Sequence, residues 1–143
     1  MTAWVVDTCL LIDVLEDDPQ FGLASATLLD SVAEDGLVLC PVSYAELAPA
    51  FQGDQALQKE FLEGIGVDWY QEWTWNDTVR AHVAWDGFIR RRRAQALRKR
   101  PLADVLIGAF AGRHRGLLTR NPDDFTPVFP DLVLRVPAGV PAA

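Results

Sequence analysis

The sequence predicts an α/β domain in which a central, mostly parallel sheet is covered on both faces by helices. Short, continuous apolar runs alternate along the chain with segments of helical periodicity, the pattern of strands that are buried on both sides. With 143 residues the chain can bury one core without disulfide or metal staples. Residues 1–137 are expected to form that domain, and 138–143, made of Pro, Ala, Gly and Val, a flexible tail.

The elements follow in order. Trp4 to Val6 is the first apolar run, and Leu10, Leu11, Val14 and Leu15 recur at helical spacing after it. A helix from Gly22 to Ala33 carries Leu28, Leu29 and Val32 on one face and ends at Asp35-Gly36. Leu37 to Cys40 forms a second strand, stopped by Pro41. The segment SYAELAPAF starts a helix at Ser43, and another runs from Asp54 to Leu62, closing at Gly64 and Gly66. Val67 to Tyr70 is a third strand. Asn76 is an N-cap residue for one long helix reaching to about Leu97, a stretch without proline and with Gly87 alone to weaken it. Ala103 to Ala111 is a further helix, and Gly116 to Thr119 and Leu132 to Val136 complete the sheet.

Half of the residues are hydrophobic, but charges cut every apolar run well short of the ~18–20 residues of a membrane span. The start lacks a basic leader segment and carries Asp7 and Asp13 within its apolar stretch, so a soluble, cytoplasmic protein is expected. Cys9 and Cys40 lack metal-site spacing and read as buried free thiols. The net charge of −7 argues against indiscriminate nucleic-acid binding, yet it hides an asymmetry. Before Arg90 the basic residues are Lys59 and Arg80; then come Arg90 to Arg93, Arg98, Lys99, Arg100, Arg113, Arg115 and Arg120. This predicts a cationic surface on an acidic body.

In parallel sheets functional groups gather beyond the carboxyl ends of the strands. The residues there, or opening the next helix, are Asp7, Glu46, Asp104 and the pair Asp123 and Asp124. Each has an ordinary structural explanation: Asp7 as a helix cap, Ser43 to Glu46 as a capping box, Asp104 as a complement to its helix dipole, and Asn121 to Asp124 as a turn. Independent caps need not fall at successive strand ends, however. Carboxylates brought together repel one another unless a cation neutralises them, and an oxygen-only donor set favours Mg²⁺ or Mn²⁺. His82 and His114 have no ligand-spaced neighbours, which disfavours zinc. A glycine-rich phosphate loop and a G-x-S-x-G elbow are both missing.

In the order VVDTCLLIDVL, SYAEL, LADVLIGAFA and LLTRNPDDF, the chain resembles the PIN-domain family, specifically the VapC-type toxins of prokaryotic toxin–antitoxin pairs. The resemblance implies a three-layer α/β/α fold and metal-dependent endoribonuclease activity. Carried over by position, Asp7, Glu46 and Asp104 match the first three acids of the family, with Asp7 and Asp104 as Mg²⁺ ligands. Asp124 is preferred as the fourth acid, because Asn121 stands where many relatives carry an aspartate. Thr8, Thr119 and Asn121 would be supporting residues. The partner implied is a small VapB-like antitoxin that blocks the site, with the toxin a homodimer and DNA contacted only through the antitoxin.

The chemistry expected is hydrolysis of an RNA phosphodiester, with Mg²⁺ lowering the pKa of a water and stabilising the transition state, and Glu46 as a further ligand or a base. A negative cluster repels RNA, so flanking cations must hold its phosphates; Arg98, Lys99 and Arg100, which lead into the Asp104 helix, are the expected RNA-binding residues. Trp69, Tyr70, Trp73, Trp75 and Trp85 are expected to pack in the core or a subunit interface rather than to stack bases. The alternative is a catalytically weak or inactive PIN domain that acts as a protein-binding module.

Overall fold

A computed structural model describes residues 3–95 and 101–141. Five strands, β1 (Trp4–Val6), β2 (Leu37–Val38), β3 (Val67–Asp68), β4 (Gly116–Leu118) and β5 (Leu134–Arg135), form one sheet in the order β3-β2-β1-β4-β5, with every pairing parallel. Six helices connect them: α1 (Thr8–Leu15), α2 (Gly22–Val32), α3 (Pro41–Glu46), α4 (Gln55–Gly64), α5 (Trp75–Gln95) and α6 (Leu102–Ala111). Among the described residues no helix is long and apolar enough to cross a membrane.

Successive side chains on a strand point to opposite faces, and the two cores follow that alternation. Trp4, Val6, Leu37 and Val67 face one side, where Leu10 and Leu11 of α1, Leu28, Leu29 and Val32 of α2, and Leu62 of α4 cover them. Val5, Val38 and Leu117 face the other, under Ile107 and Phe110 of α6. Outside that layer α5 packs on α6 through Ala81, Phe88, Val105 and Ala109. The fold is thus a three-layer α/β/α arrangement, as the sequence predicts.

All five expected strands exist, each no longer than its expected span, because the ladder continues only while partners remain in register. β1 pairs Trp4 with both Leu37 and Gly116, and after Val6 one further bond, from the Asp7 N–H to the Leu118 carbonyl, precedes the turn into α1. α4 and α6 begin one residue from their expected starts, at Gln55 and Leu102, and two further helix starts differ in how they are capped. α3 begins at Pro41, two residues before Ser43, since the fixed φ and missing N–H of proline suit a first helical turn. Ser43 is therefore buried inside the helix with its Oγ unpaired, Glu46 is the last residue of α3, and the expected capping box does not form. α5 begins at Trp75, and the reciprocal cap is made by Thr74: its Oγ1 accepts from the Asp77 backbone N–H, while Asp77 Oδ2 accepts from the Thr74 N–H. Asn76 is not the cap, because Asp77 lies three residues beyond Thr74, the spacing a capping box requires.

Two arginines of the expected cationic surface are used inside the molecule. Arg120 Nε donates to Asp13 Oδ2 at 2.8 Å, and its guanidinium lies over the Phe21 ring. Arg113 donates to both oxygens of the fully buried Asp77 at 2.9 and 3.1 Å and to the Glu72 carbonyl. Arg115 pairs with Asp35. Arg90 to Arg93 lie on the last turns of α5, with Arg90 bonded to Asp86 and Arg91 to the Pro127 carbonyl. Arg98, Lys99 and Arg100 lie outside the described residues, as do residues 142 and 143 of the expected tail.

At Gly116 the sheet leaves no room for a side chain. A Cβ there would stand 2.5 Å from the Val133 carbonyl oxygen and 2.7 Å from the Trp4 ring, and neither a strand backbone nor a buried indole moves cheaply. Gly116→Ala is therefore expected to cost about 1–3 kcal/mol, read as a shift in the urea midpoint at unchanged m-value.

Candidate functional site

Because every strand is parallel, the chain leaves all of them at one edge of the sheet. Asp7 follows β1 directly, Thr119 follows β4, and α3 follows β2 after two residues. Asp7 holds the N-cap position of α1 yet its side chain makes no capping bond. It points instead across the edge: Thr119 Oγ1 donates to Asp7 Oδ2 at 2.7 Å, and Cys9 Sγ donates to the same oxygen at 3.4 Å. The capping explanation for Asp7 is thereby removed.

Thr119 also accepts from the backbone N–H of Asn121 at 3.0 Å, tying the turn that carries Asn121, Asp123 and Asp124 to Asp7. Asn121 precedes the 3₁₀ turn Pro122–Asp124, in which Asp124 is half-buried and Asp123 exposed. On the other side Thr8 Oγ1 donates to Glu46 Oε1 at 2.8 Å, bringing the end of α3 to the start of α1. Asp104 lies half-buried in the first turn of α6, where its charge complements the helix dipole, and α6 packs on α3. Asp7, Thr8, Glu46, Thr119 and Asn121 are thus joined by direct hydrogen bonds or chain adjacency, while Asp104 stands on α6 and Asp124 on the turn that follows Asn121. Among the described residues no three His, Cys, Asp or Glu side chains form a ready-made metal cage.

The electrostatics separate Asp7 from the other buried aspartates. Asp13 is paired with Arg120, and Asp77 with Arg80 and Arg113. Asp7, 7% exposed, receives hydrogen bonds from an alcohol and a thiol, and among the described residues no cationic side chain neutralises it. Burial pushes its carboxyl above the usual range, the Thr119 and Cys9 bonds oppose this, and the charge of Glu46 adds to the rise. A buried carboxylate held this way favours either a proton or an added cation. Its oxygens and those of Glu46 are hard donors, which fit Mg²⁺ or Mn²⁺ better than a softer metal.

Both cysteines are free. Cys40 is buried as expected, whereas Cys9 is half-buried because its thiol reaches the Asp7 edge. Burial, reinforced by the Asp7 charge, pushes the Cys9 thiol up to about 12, and burial pushes Cys40 up to about 11, so neither is a reactive thiolate at neutral pH. His114 is half-buried against Phe110, and burial with the Arg113 charge lowers it to about 4, while His82 is exposed. The role of Cys9 beside Asp7 is missed by sequence reasoning. The i, i+2 spacing from Asp7 was its signal, since the first helical turn bends back over its own N-cap.

Comparison with known family models and with curated proteins finds no match for the chain. Fold and site together define a three-layer α/β protein whose buried carboxylate at the carboxyl edge of the sheet, Asp7, has no arginine partner among the described residues.

Proposed function

We propose that the protein is a metal-dependent endoribonuclease of the PIN-domain, VapC type. The observation that carries this reading is that Asp7, alone among the buried aspartates described, lacks an arginine partner while it sits where parallel sheets collect their functional groups. The ordered motifs around Asp7, Glu46, Asp104 and Asp124 support it. Asp7 and Asp104 would hold Mg²⁺ or Mn²⁺, with Glu46 and Asp124 beside them. A hard divalent ion so held would supply Lewis acidity and lower the pKa of a water.

The chain's own residues do the rest. Thr119 and Cys9 engage Oδ2 of Asp7 and so fix the carboxylate that would meet an incoming cation. Thr8 holds Glu46 toward the same edge, where it would accept a proton or orient a water. Basic residues of the tract from Arg90 to Arg100 would bind phosphates away from the scissile bond. A cytoplasmic setting, a small antitoxin and a homodimer belong to the same proposal and rest on the motifs alone.

The test uses purified protein freed of any bound partner, incubated with structured RNA. Cutting is expected with Mg²⁺ or Mn²⁺, to stop in EDTA, and to fall at least about 100-fold in Asp104→Asn with an unchanged circular dichroism spectrum. Cleavage that persists in EDTA would overturn the reading.

A further inference from the structure

Beside α3, on the same carboxyl edge of the sheet, lies a concavity of about 210 Å³. It is lined by Tyr44 of α3, Gln55 and Lys59 of α4, and Trp69, Tyr70 and Gln71, which follow β3. Its volume falls below the ~300–1,000 Å³ of a drug-sized site and suits one planar ring system. The Trp69 ring meets Tyr44 at 6.0 Å between centroids and Tyr70 at 5.9 Å, edge-on. Lys59 Nζ stands 4.7 Å from the Trp69 ring centroid.

We propose that this concavity is a subsite that stacks one base of a single-stranded RNA next to the cleavage site. The proposal rests on the nuclease reading above and names the part of the substrate that the protein would grip.

Three observations carry it. First, Tyr70, expected in the core or a subunit interface, is 69% exposed, beside Tyr44 and Trp69, which pack half-buried against the core. A ring face left in water at a cavity wall is a stacking platform, and base stacking on aromatics is the common device of single-strand recognition. Second, the rim carries amides suited to base edges. Gln55 uses its carbonyl oxygen to accept from the Tyr44 hydroxyl, which leaves its NH₂ as a donor; Gln71 gives an N–H to Asp68, which leaves its carbonyl as an acceptor. Third, Lys59 is the one basic residue before Arg80 in an acidic half-chain, and it lies at this cavity, where a phosphate flanking the base would find it.

The position is also consistent with a strand that continues to Asp7. Tyr44 and Glu46 are two residues apart on α3 and therefore about 200° apart around its axis, so the cavity and the acidic edge lie on opposite sides of a helix roughly 10 Å across. The stacked base would thus flank the scissile bond by a nucleotide or more.

Binding is measured in EDTA, so that cleavage plays no part, by fluorescence anisotropy of labelled hexamers rA₆, rC₆ and rU₆ on the full chain. Tyr70→Ala is expected to weaken binding of the preferred hexamer about 5- to 100-fold, the range of one lost stacked base, with Tyr70→Trp restoring it. Gln71→Ala should change the order of preference among the three hexamers. Tyr70 is exposed, so loss of fold is not expected; a far-ultraviolet spectrum checks this. Equal affinity of wild type and Tyr70→Ala would overturn the subsite, as would capture of a protein partner through this face with no hexamer binding. If Asp7→Asn still cuts RNA while Tyr70→Ala loses binding, the catalytic reading fails and the base site stands.

Discussion

Asp7→Asn is expected to abolish RNA cleavage, by about 10³-fold or more, while making the metal-free protein more stable rather than less. The two effects have one cause. Asp7 is a buried carboxylate with a hydroxyl and a thiol as its donors and Glu46 as a like-charged neighbour. Ionising it inside the fold is costly, so its folded pKa lies above the unfolded one and the native state binds the extra proton. Such a group favours folding below its unfolded pKa, and that contribution is lost as pH rises through the folded value. Asparagine is isosteric and neutral at every pH. In EDTA the variant's melting temperature should therefore exceed that of wild type at pH 7, and the gap should close toward pH 4. Added Mn²⁺ should reverse the order, stabilising wild type by mass action and leaving the variant unmoved. A lower melting temperature for Asp7→Asn in EDTA at pH 7 would show that Asp7 serves the fold instead.

Asp77→Ala is expected to be the most damaging single change to stability, by about 3–5 kcal/mol, with little direct bearing on the acidic edge. Asp77 is fully buried and accepts from the Thr74 N–H at 2.9 Å, Arg80 at 3.0 Å and Arg113 at 2.9 Å. Removing it breaks the return half of the α5 capping box, the bond from the Thr74 N–H, and leaves Arg80 and Arg113 without their buried acceptor. Burial alone would raise the Asp77 carboxyl, but the Arg113 bonds, the Thr74 N–H and the Arg80 bond outweigh it, so the group lies below its usual range. The sign is opposite to that of Asp7: the contribution is present above the unfolded pKa and is lost as pH falls through the folded value. Urea midpoints measured from pH 3 to 7 should show a steep acid limb in wild type that is flattened in Asp77→Ala. Equal slopes in the two proteins would contradict this account of the clasp.

The contrast between these two aspartates shows what the sequence makes legible. The five strands and six helices are readable because apolar runs such as WVV and GLL are too short for anything but strands, and because Gly, Pro and Asp punctuate them. The position of Asp7 at a strand end is equally readable. What one dimension hides is pairing across distance. Asp77 and Arg113 are 36 residues apart, and Asp13 and Arg120 are 107 apart. Those arginines therefore look like part of a basic surface, whereas they neutralise buried acids. Glu46 illustrates the converse: SYAE has capping-box spacing, but Pro41 starts the helix earlier and frees the glutamate for Thr8. The aromatic cavity beside α3 is illegible for the same reason, since Tyr44, Lys59 and Trp69 meet only after three elements have packed.

The most direct measurement is anomalous diffraction from crystals grown with Mn²⁺. The account predicts a manganese peak within ligand distance, ~2.0–2.6 Å, of the Asp7 carboxylate with Asp104 in the same shell or one water away. Manganese bound elsewhere with the Asp7 edge empty at saturating metal would contradict it.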